Sequence, residues 1–349
     1  MTTPRITVNT AQAHRMGQRL LELGWKSAGY ETLNAAIPSN SDRDAALNYF
    51  FFTSMLLFDF KNVEATLPDG RYIKGTDVYF HLARRAGEEH PGFWSAPVLA
   101  TLTDADFNRA FSLTHDPAQP ALPRMPERIN LLRDAAAVLN TRWQGSVSRL
   151  LHQHPALRAP NQTGLLDTIL AAFQGYSDPL FKKVFVFLKA ADITGLWRPT
   201  DPENVLMPVD YHVIRLALRN GTVTINDPHL ADQLRRAEPL TEADELPIRQ
   251  AVMEAYHELI RTSGLSVYFV DEIFWLVGRS CCHYKRPPRC TTCDYSDCTV
   301  QPAFNYACPG HCPLAATCLG AHDTTYSTLL EPAITTIHYL SLIHISAPT

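Results

Sequence analysis

Apolar residues recur every three or four positions along most of this chain, which is the spacing of one buried face of an α-helix. The pattern is strongest from Glu127 to Trp143, directly after a proline-rich stretch at 117–126. Thr103 and Asp227 are typical N-terminal capping residues, and they support the predicted starts of two further helices. The same spacing predicts helices at 11–36, 76–86, 103–111, 164–173, 181–192, 211–220, 229–237, 246–262 and 267–282. The sequence therefore predicts a mostly α protein.

A short segment near the N-terminus follows a different pattern. Pro68-Asp69-Gly70 is typical of a tight turn, and it separates two short segments around Val63 and Tyr72. We expect these two segments to pair as strands. A small β element is therefore predicted within the otherwise helical N-terminal part.

These changes in pattern divide the chain into four regions. We expect an N-terminal helical and β region at 1–125, a helical core at 126–280, a cysteine-rich loop at 281–320 and a tail at 321–349. Residues 341–349 match nothing upstream and resemble translated sequencing-adapter read-through, so they carry no prediction about the fold.

Composition excludes several classes of protein. Of the 349 residues, 46% are hydrophobic and 19% are charged, which is enough apolar surface to order a core. The net charge of −4 creates no global basic field that would attract nucleic acid. No apolar run is long enough to span a bilayer, and the N-terminus does not read as a signal peptide. We therefore expect a cytoplasmic protein with no membrane partner.

The cysteines are concentrated in one stretch. Because a disulfide framework would spread cysteines over a small secreted domain, this clustering predicts bound metal instead. Thiolates select zinc or iron–sulfur clusters. A zinc-stabilised loop without chemistry of its own is the alternative to a cluster. The eight predicted metal ligands are Cys281, Cys282, Cys290, Cys293, Cys298, Cys308, Cys312 and Cys318.

The helix at 271–282 and the loop that follows it resemble the last helix and cluster loop of the endonuclease III family of DNA glycosylases. In addition, Cys312-Pro313-Leu314 resembles the closing segment of the adenine-excising relatives. The resemblance implies a 4Fe-4S cluster held by four of the cysteines. Eight cysteines leave room for a second thiolate-bound metal, such as zinc.

Residues 207–215 read Met-Pro-Val-Asp-Tyr-His-Val-Ile-Arg and resemble the segment that carries the catalytic aspartate of helix-hairpin-helix DNA glycosylases. The resemblance implies a two-lobed helical fold, with Asp210 as the catalytic carboxylate and Lys182 or Lys183 at the start of the lysine-bearing helix. A plain helix cap is the alternative for Asp210. The stretch at 173–179 stands in place of the family's glycine-rich hairpin. It has one glycine and an extra carboxylate, Asp178, which weakens phosphate binding there.

The N-terminal half resembles a different branch, the queuosine salvage N-glycosylases. The resemblance covers roughly 45–215 and rests on the segments 47–52, 70–75, 126–132, 143–146 and 181–183. It implies that the N-terminal region forms part of a base pocket. The alternative for the phenylalanine run is an ordinary place in the core. The predicted substrate-binding residues are Asn48, Phe50, Phe51, Phe52, Tyr211 and His212.

Together these features predict an N-glycosylase that hydrolyses the N-glycosidic bond of a modified nucleoside or nucleotide. Asp210 would stabilise positive charge on the sugar or activate water. Two alternatives remain, a DNA base-excision repair glycosylase and a non-catalytic nucleic-acid-binding module. A basic surface built from Lys285, Arg286 and Arg289 beside the pocket would favour DNA as a partner.

Overall fold

The computed structural model describes residues 4–26, 29–60, 62–160, 163–283, 288–294, 298–334 and 336–338. Within these residues the chain is mostly helical, which confirms the predicted class. Its contacts group the chain into two compact units. We call Gly29–Val205 the central unit, and the described parts of Met1–Ala28 and Leu206–Thr335 the terminal unit. The predicted division into four regions stays a prediction.

The terminal unit begins with β1 (Ile6–Val8) and α1 (Thr10–Leu23). Asn9 caps α1, because its side chain accepts a hydrogen bond from the backbone amide of Gln12 at 3.1 Å. The helix ends at Gly24, whose φ of 64° is the left-handed conformation that glycine adopts without strain.

The central unit contains a series of short and medium helices. They are α2 (Gly29–Ala36), α3 (Arg43–Met55), α4 (Thr76–Glu89), α5 (Ala96–Thr101), α6 (Asp104–Ala110), α7 (Met125–Trp143), α8 (Val147–Gln153), α9 (Leu165–Ala172) and α10 (Lys182–Ile193). Short 3₁₀ segments lie at Gln174–Tyr176 and Pro202–Asn204. Between α3 and α4, β2 (Glu64–Thr66) pairs antiparallel with β3 (Tyr72–Lys74), which confirms the predicted hairpin.

Helix α3 lies at the centre of the aromatic core of this unit. Its residues from Ala46 to Met55 are all buried, so the helix is enclosed on every side. The ring of Phe51 lies 5.0 Å from the rings of Phe173 and Tyr176 and 5.5 Å from that of Phe187. Aromatic contacts of this kind add to the burial of apolar area.

The remaining elements of the terminal unit follow the central unit in sequence. They are α11 (Tyr211–Asn220), β4 (Val223–Ile225), α12 (Pro228–Arg235), α13 (Glu242–Ser263), α14 (Val267–Arg279), α15 (Val300–Phe304), a 3₁₀ segment at Leu319–Ala321 and α16 (Thr324–Ser327). Strand β4 pairs antiparallel with β1, with Thr7 opposite Thr224. This pairing was not predicted, because each strand has only three residues and their partners are distant in the sequence.

Within the terminal unit, α13 packs against α1, and α11 packs against α14. The hydrophobic spacing predicted α11, α13 and α14 with small differences at their ends. None of the helices in the described parts of the chain is long and apolar enough to cross a membrane.

Candidate functional site

Asp210 lies in the terminal unit, immediately before α11, and is buried. Its Oδ1 accepts hydrogen bonds from the backbone amides of His212 at 2.9 Å and Val213 at 3.2 Å. The carboxylate therefore caps α11, which is the alternative role that the sequence also allowed for Asp210. The same two amides set the direction of the side chain, so capping is compatible with a role in chemistry.

The carbonyl just before Asp210 is also held in place. Arg249 of α13 is buried and donates from Nη2 to the carbonyl oxygen of Val209 at 3.4 Å. Its Nε lies 3.4 Å from the carboxylate of Glu245, which is also buried. A buried ion pair on α13 thus holds the backbone of Val209, the residue before Asp210, in place.

His212 is buried between α11 and α14 and is hydrogen bonded to Arg215. The guanidinium Nη2 of Arg215 lies 2.9 Å from the histidine Nδ1. Burial, together with the charges of Arg215, Arg279 and His283, holds the pKa of His212 well below its usual range. The imidazole is therefore neutral at pH 7, and Nδ1 accepts the hydrogen bond. The half-buried ring of Tyr211 lies 3.9 Å from that of His212.

Arg215 belongs to a buried network that the sequence did not reveal. Its Nη1 lies 2.8 Å from the carboxylate of Glu331, and both side chains are fully buried. Further hydrogen bonds run from its Nε to the carbonyl of Cys282 at 2.7 Å and from its Nη2 to that of Gly278 at 2.8 Å. No local pattern signals this pair, because the two charges are more than a hundred residues apart in the chain.

Asn48 lies in the central unit and connects α3 to the start of α8. Its Nδ2 donates to the carbonyl of Gly145 at 3.2 Å, and its Oδ1 accepts from the amide of Val147 at 3.0 Å. Asn48 also lines a cavity together with Tyr49 and Trp94. The Tyr49 hydroxyl is buried without a hydrogen-bond partner among the described residues.

The phenylalanine run has a clear place in the core. Phe50, Phe51 and Phe52 are all buried, and Phe51 takes part in the aromatic cluster of the central unit. Their packing agrees with the alternative that these side chains are core residues. Their assignment to a base pocket stays a prediction.

The two lysines predicted at the start of α10 have different surroundings. Lys183 is fully buried, and its Nζ donates to the carbonyls of Met55 at 2.6 Å and Gly175 at 3.3 Å. Burial, with the nearby charges of Lys182 and Arg128, holds the pKa of Lys183 well below its usual range. Lys182 is also buried, and it is the first residue of the helix.

Asp178 lies just before α10. Its Oδ1 accepts from the amide of Leu180 at 3.1 Å and its Oδ2 from the amide of Lys182, the first residue of the helix, at 2.9 Å. Amides at a helix N-terminus commonly bind phosphate, but here a buried carboxylate already accepts from the first of them. The extra carboxylate noted in the sequence thus opposes the binding of an anion by the backbone amides at this helix terminus.

Five of the eight cysteines surround one cavity in the terminal unit. None of the eight is in a disulfide. Arg219, Leu216, Leu314 and Gly320 also line the cavity. Burial and the neighbouring thiols of Cys312 and Cys282 raise the pKa of Cys290 to about 12. The lining cysteines are Cys281, Cys282, Cys290, Cys312 and Cys318.

The other three cysteines, Cys293, Cys298 and Cys308, do not line this cavity and are partly exposed. Among the residues the structure describes, no group of three or more His, Cys, Asp or Glu side chains is placed to hold a single metal ion. The basic residues Lys285 and Arg286 lie outside the described residues. Arg289 forms an ion pair with Asp294.

The described residues thus define a mostly helical protein with a buried aspartate at a helix start and a separate thiol-lined cavity. The family model described as queuosine salvage protein matches residues 36–266, which is more than half of the 349 residues. The chain therefore belongs to the queuosine salvage protein family. No curated protein matches the chain.

The family match confirms the resemblance of the N-terminal half and connects the chain with queuosine salvage. Asn48, Lys182 and Asp210 lie within the matched residues, whereas every cysteine lies beyond them. The match does not test the helix-hairpin-helix fold, the DNA partner, the metal or the cytoplasmic location, so these stay predictions.

Proposed function

We propose that this protein hydrolyses the N-glycosidic bond of a queuosine nucleotide, with Asp210 as the catalytic carboxylate. The observation that carries the proposal is the family match over 36–266, which includes a carboxylate that is buried and oriented at the start of α11. A modified nucleoside or nucleotide is the substrate class that membership of this family suggests.

In the proposed reaction the bond between the ribose C1′ and the base nitrogen breaks, and its electron pair leaves with the base. The sugar becomes positively charged, and the oxygen of a water molecule then bonds to C1′. One proton of that water is transferred to the departing base. A buried carboxylate is suited to this step because its negative charge stabilises the oxocarbenium character and can orient the water.

Lys182 and Lys183 have separate roles in this proposal. Lys182 is the candidate partner for the substrate phosphate, and Lys183 is a positioning residue because its Nζ is already bonded to two carbonyl oxygens. A Schiff-base intermediate is not part of the mechanism, since water attacks the sugar directly. We therefore expect no trapping of a covalent adduct by borohydride.

The test compares two aspartates that cap helices in the same way. Asp227 caps α12 and accepts from the amides of His229 at 2.9 Å and Leu230 at 3.3 Å, close to the geometry at Asp210. We expect Asp210→Asn to lower the turnover of queuosine 5′-monophosphate by about 10²–10³-fold, with little change in substrate binding. Asp227→Asn should leave turnover within about twofold of the parent protein. Release of free base is the measurement.

Normal turnover by Asp210→Asn would assign Asp210 to helix capping alone. Release of a base from damaged duplex DNA, with none from the nucleotide, would instead support the DNA-repair alternative. No release from either substrate by the parent protein would favour a binding module without catalytic activity.

A further inference from the structure

The thiol-lined cavity is assembled from segments that are distant in the chain. Cys281 and Cys282 follow α14, Cys290 lies in the next loop, and Cys312 and Cys318 come from the segment before the 3₁₀ turn at Leu319–Ala321. The whole set lies beyond the residues that the family model matches, so the family match does not account for it.

Backbone hydrogen bonds bring these segments together. The amide of Arg289 donates to the carbonyl of Cys281 at 2.9 Å, and the amide of Cys312 donates to the carbonyl of Arg289 at 3.0 Å. Gly320 allows the last segment to approach α11, because a Cβ at this position would lie 2.7 Å from the carbonyl oxygen of Arg219. Backbone hydrogen bonds and the close approach at Gly320 therefore bring the thiols together.

A buried cation lies beside the thiols. Arg219 is buried, and its Nη1 lies 3.3 Å from the sulfur of Cys282, while its Nε donates to the carbonyl of Leu329 at 2.8 Å. Among the described residues no carboxylate forms an ion pair with Arg219. A buried charge without an opposite charge is costly. A thiolate-bound metal centre in the cavity would supply the negative charge that this arginine lacks.

The five thiols that line the cavity interact with one another. Cys318 lies near the thiols of Cys282, Cys312 and Cys290, and Cys290 lies near those of Cys312 and Cys282. Cys281 belongs to the same group, because its thiol is hydrogen bonded to that of Cys312. Four thiolates hold one 4Fe-4S cluster, so the cavity supplies enough ligands and one further thiol.

We propose that four of the five thiols lining this cavity ligate a 4Fe-4S cluster, with Arg219 balancing its charge. A single zinc ion requires its ligands to surround one point closely, and the described residues contain no such group. Cluster ligands lie farther apart, because each thiolate binds a different iron atom. The proposed set also differs from the short loop of consecutive cysteines that the sequence suggested, since it omits Cys293 and Cys298.

The first measurement is the metal content of the full chain purified anaerobically. We expect about four iron atoms and about four acid-labile sulfides per chain, with broad visible absorption that disappears on oxidation and chelation. A colourless protein with one zinc per chain would overturn the cluster. So would a protein that binds no iron after anaerobic reconstitution with iron and sulfide. This measurement needs no variant, so misfolding of a variant cannot obscure it.

The second measurement compares single cysteine variants by iron content and absorption per folded chain. Among the alanine variants of the five cavity cysteines, four should lose cluster content at least severalfold. Cys293→Ala, Cys298→Ala and Cys308→Ala are the matched controls and should keep the cluster. Retention of iron in Cys312→Ala or Cys318→Ala, with loss in Cys293→Ala or Cys298→Ala, would overturn the ligand assignment. Activity plays no part in the readout, so the outcome is independent of the proposed glycosylase reaction.

Discussion

The two units bury positive charge in different ways. In the central unit, Arg128 and Lys183 are buried against backbone carbonyl oxygens and the face of an aromatic ring, Phe58. In the terminal unit, Arg215 is buried against the carboxylate of Glu331, and Arg219 against a thiol. The first arrangement relies on neutral dipoles, whereas in the second Arg215 and Arg219 also donate to carbonyls, and a carboxylate or a thiol is added to these contacts.

This difference has a consequence for stability. Carbonyl oxygens are always present, so the central unit satisfies its cations with its own backbone once it is folded. In the terminal unit Arg215 depends in addition on one ionised side chain, that of Glu331. We therefore expect the terminal unit to respond more strongly to the loss of one negative charge, and the following predictions test that expectation.

The largest effect should come from Glu331→Gln in the terminal unit. The change leaves Arg215 buried without its carboxylate, and we expect the free energy of unfolding to fall by about 3–5 kcal/mol. Urea unfolding measures the loss, and hydrogen exchange should locate it in α11 and α14. The control is Glu22→Gln, which removes an exposed pair with Arg19 and should change stability by less than about 0.5 kcal/mol. A similarly small effect of Glu331→Gln would contradict the expectation that the terminal unit is sensitive to the loss of one negative charge.

A smaller effect is expected from Arg128→Lys in the central unit. Arg128 donates to the carbonyls of Leu56 at 2.7 Å, Phe58 at 2.5 Å, Asp59 at 2.8 Å and Pro123 at 2.9 Å. Lysine keeps the charge, but its single nitrogen cannot reach all four oxygens. We expect a loss of about 1.5–3 kcal/mol in the free energy of unfolding.

The control for this change is Arg84→Lys on the exposed face of α4, which should cost less than about 0.5 kcal/mol. An equal loss in both variants would show that the carbonyl cradle around Arg128 contributes nothing specific to the stability of the central unit.

The smallest effect concerns pH. The pKa of His212 is held well below 6.5 in the folded protein by burial and by Arg215, Arg279 and His283. Below about pH 6.5 the unfolded chain therefore binds a proton that the folded chain does not, so the stability of the terminal unit falls as the pH is lowered. The slope should be at most about 1.4 kcal/mol per pH unit. His212→Gln should flatten the profile between about pH 7 and 5, and an unchanged slope would exclude this histidine as its source.

Local patterns in the sequence predicted a large part of the secondary structure. The 3.6-residue period located α7, α11, α13 and α14, because the buried face of a helix repeats within a few residues. The turn residues Pro68 to Gly70 located the hairpin of β2 and β3 for the same reason. By contrast, β1 and β4 carry no comparable signal, since their pairing joins residues from distant parts of the chain.

The sequence by itself determined the residue types that the proposals use, namely a carboxylate at a helix start and a concentrated set of thiols. Only the tertiary structure decided how they are used. It brings Cys290, Cys312 and Cys318 to one cavity beside Arg219 and leaves Cys293 outside it. It also directs Lys183 to a carbonyl 128 positions away in the chain. Partners at such separations depend on how whole helices pack, whereas the sequence pattern reports only on neighbours within a few turns.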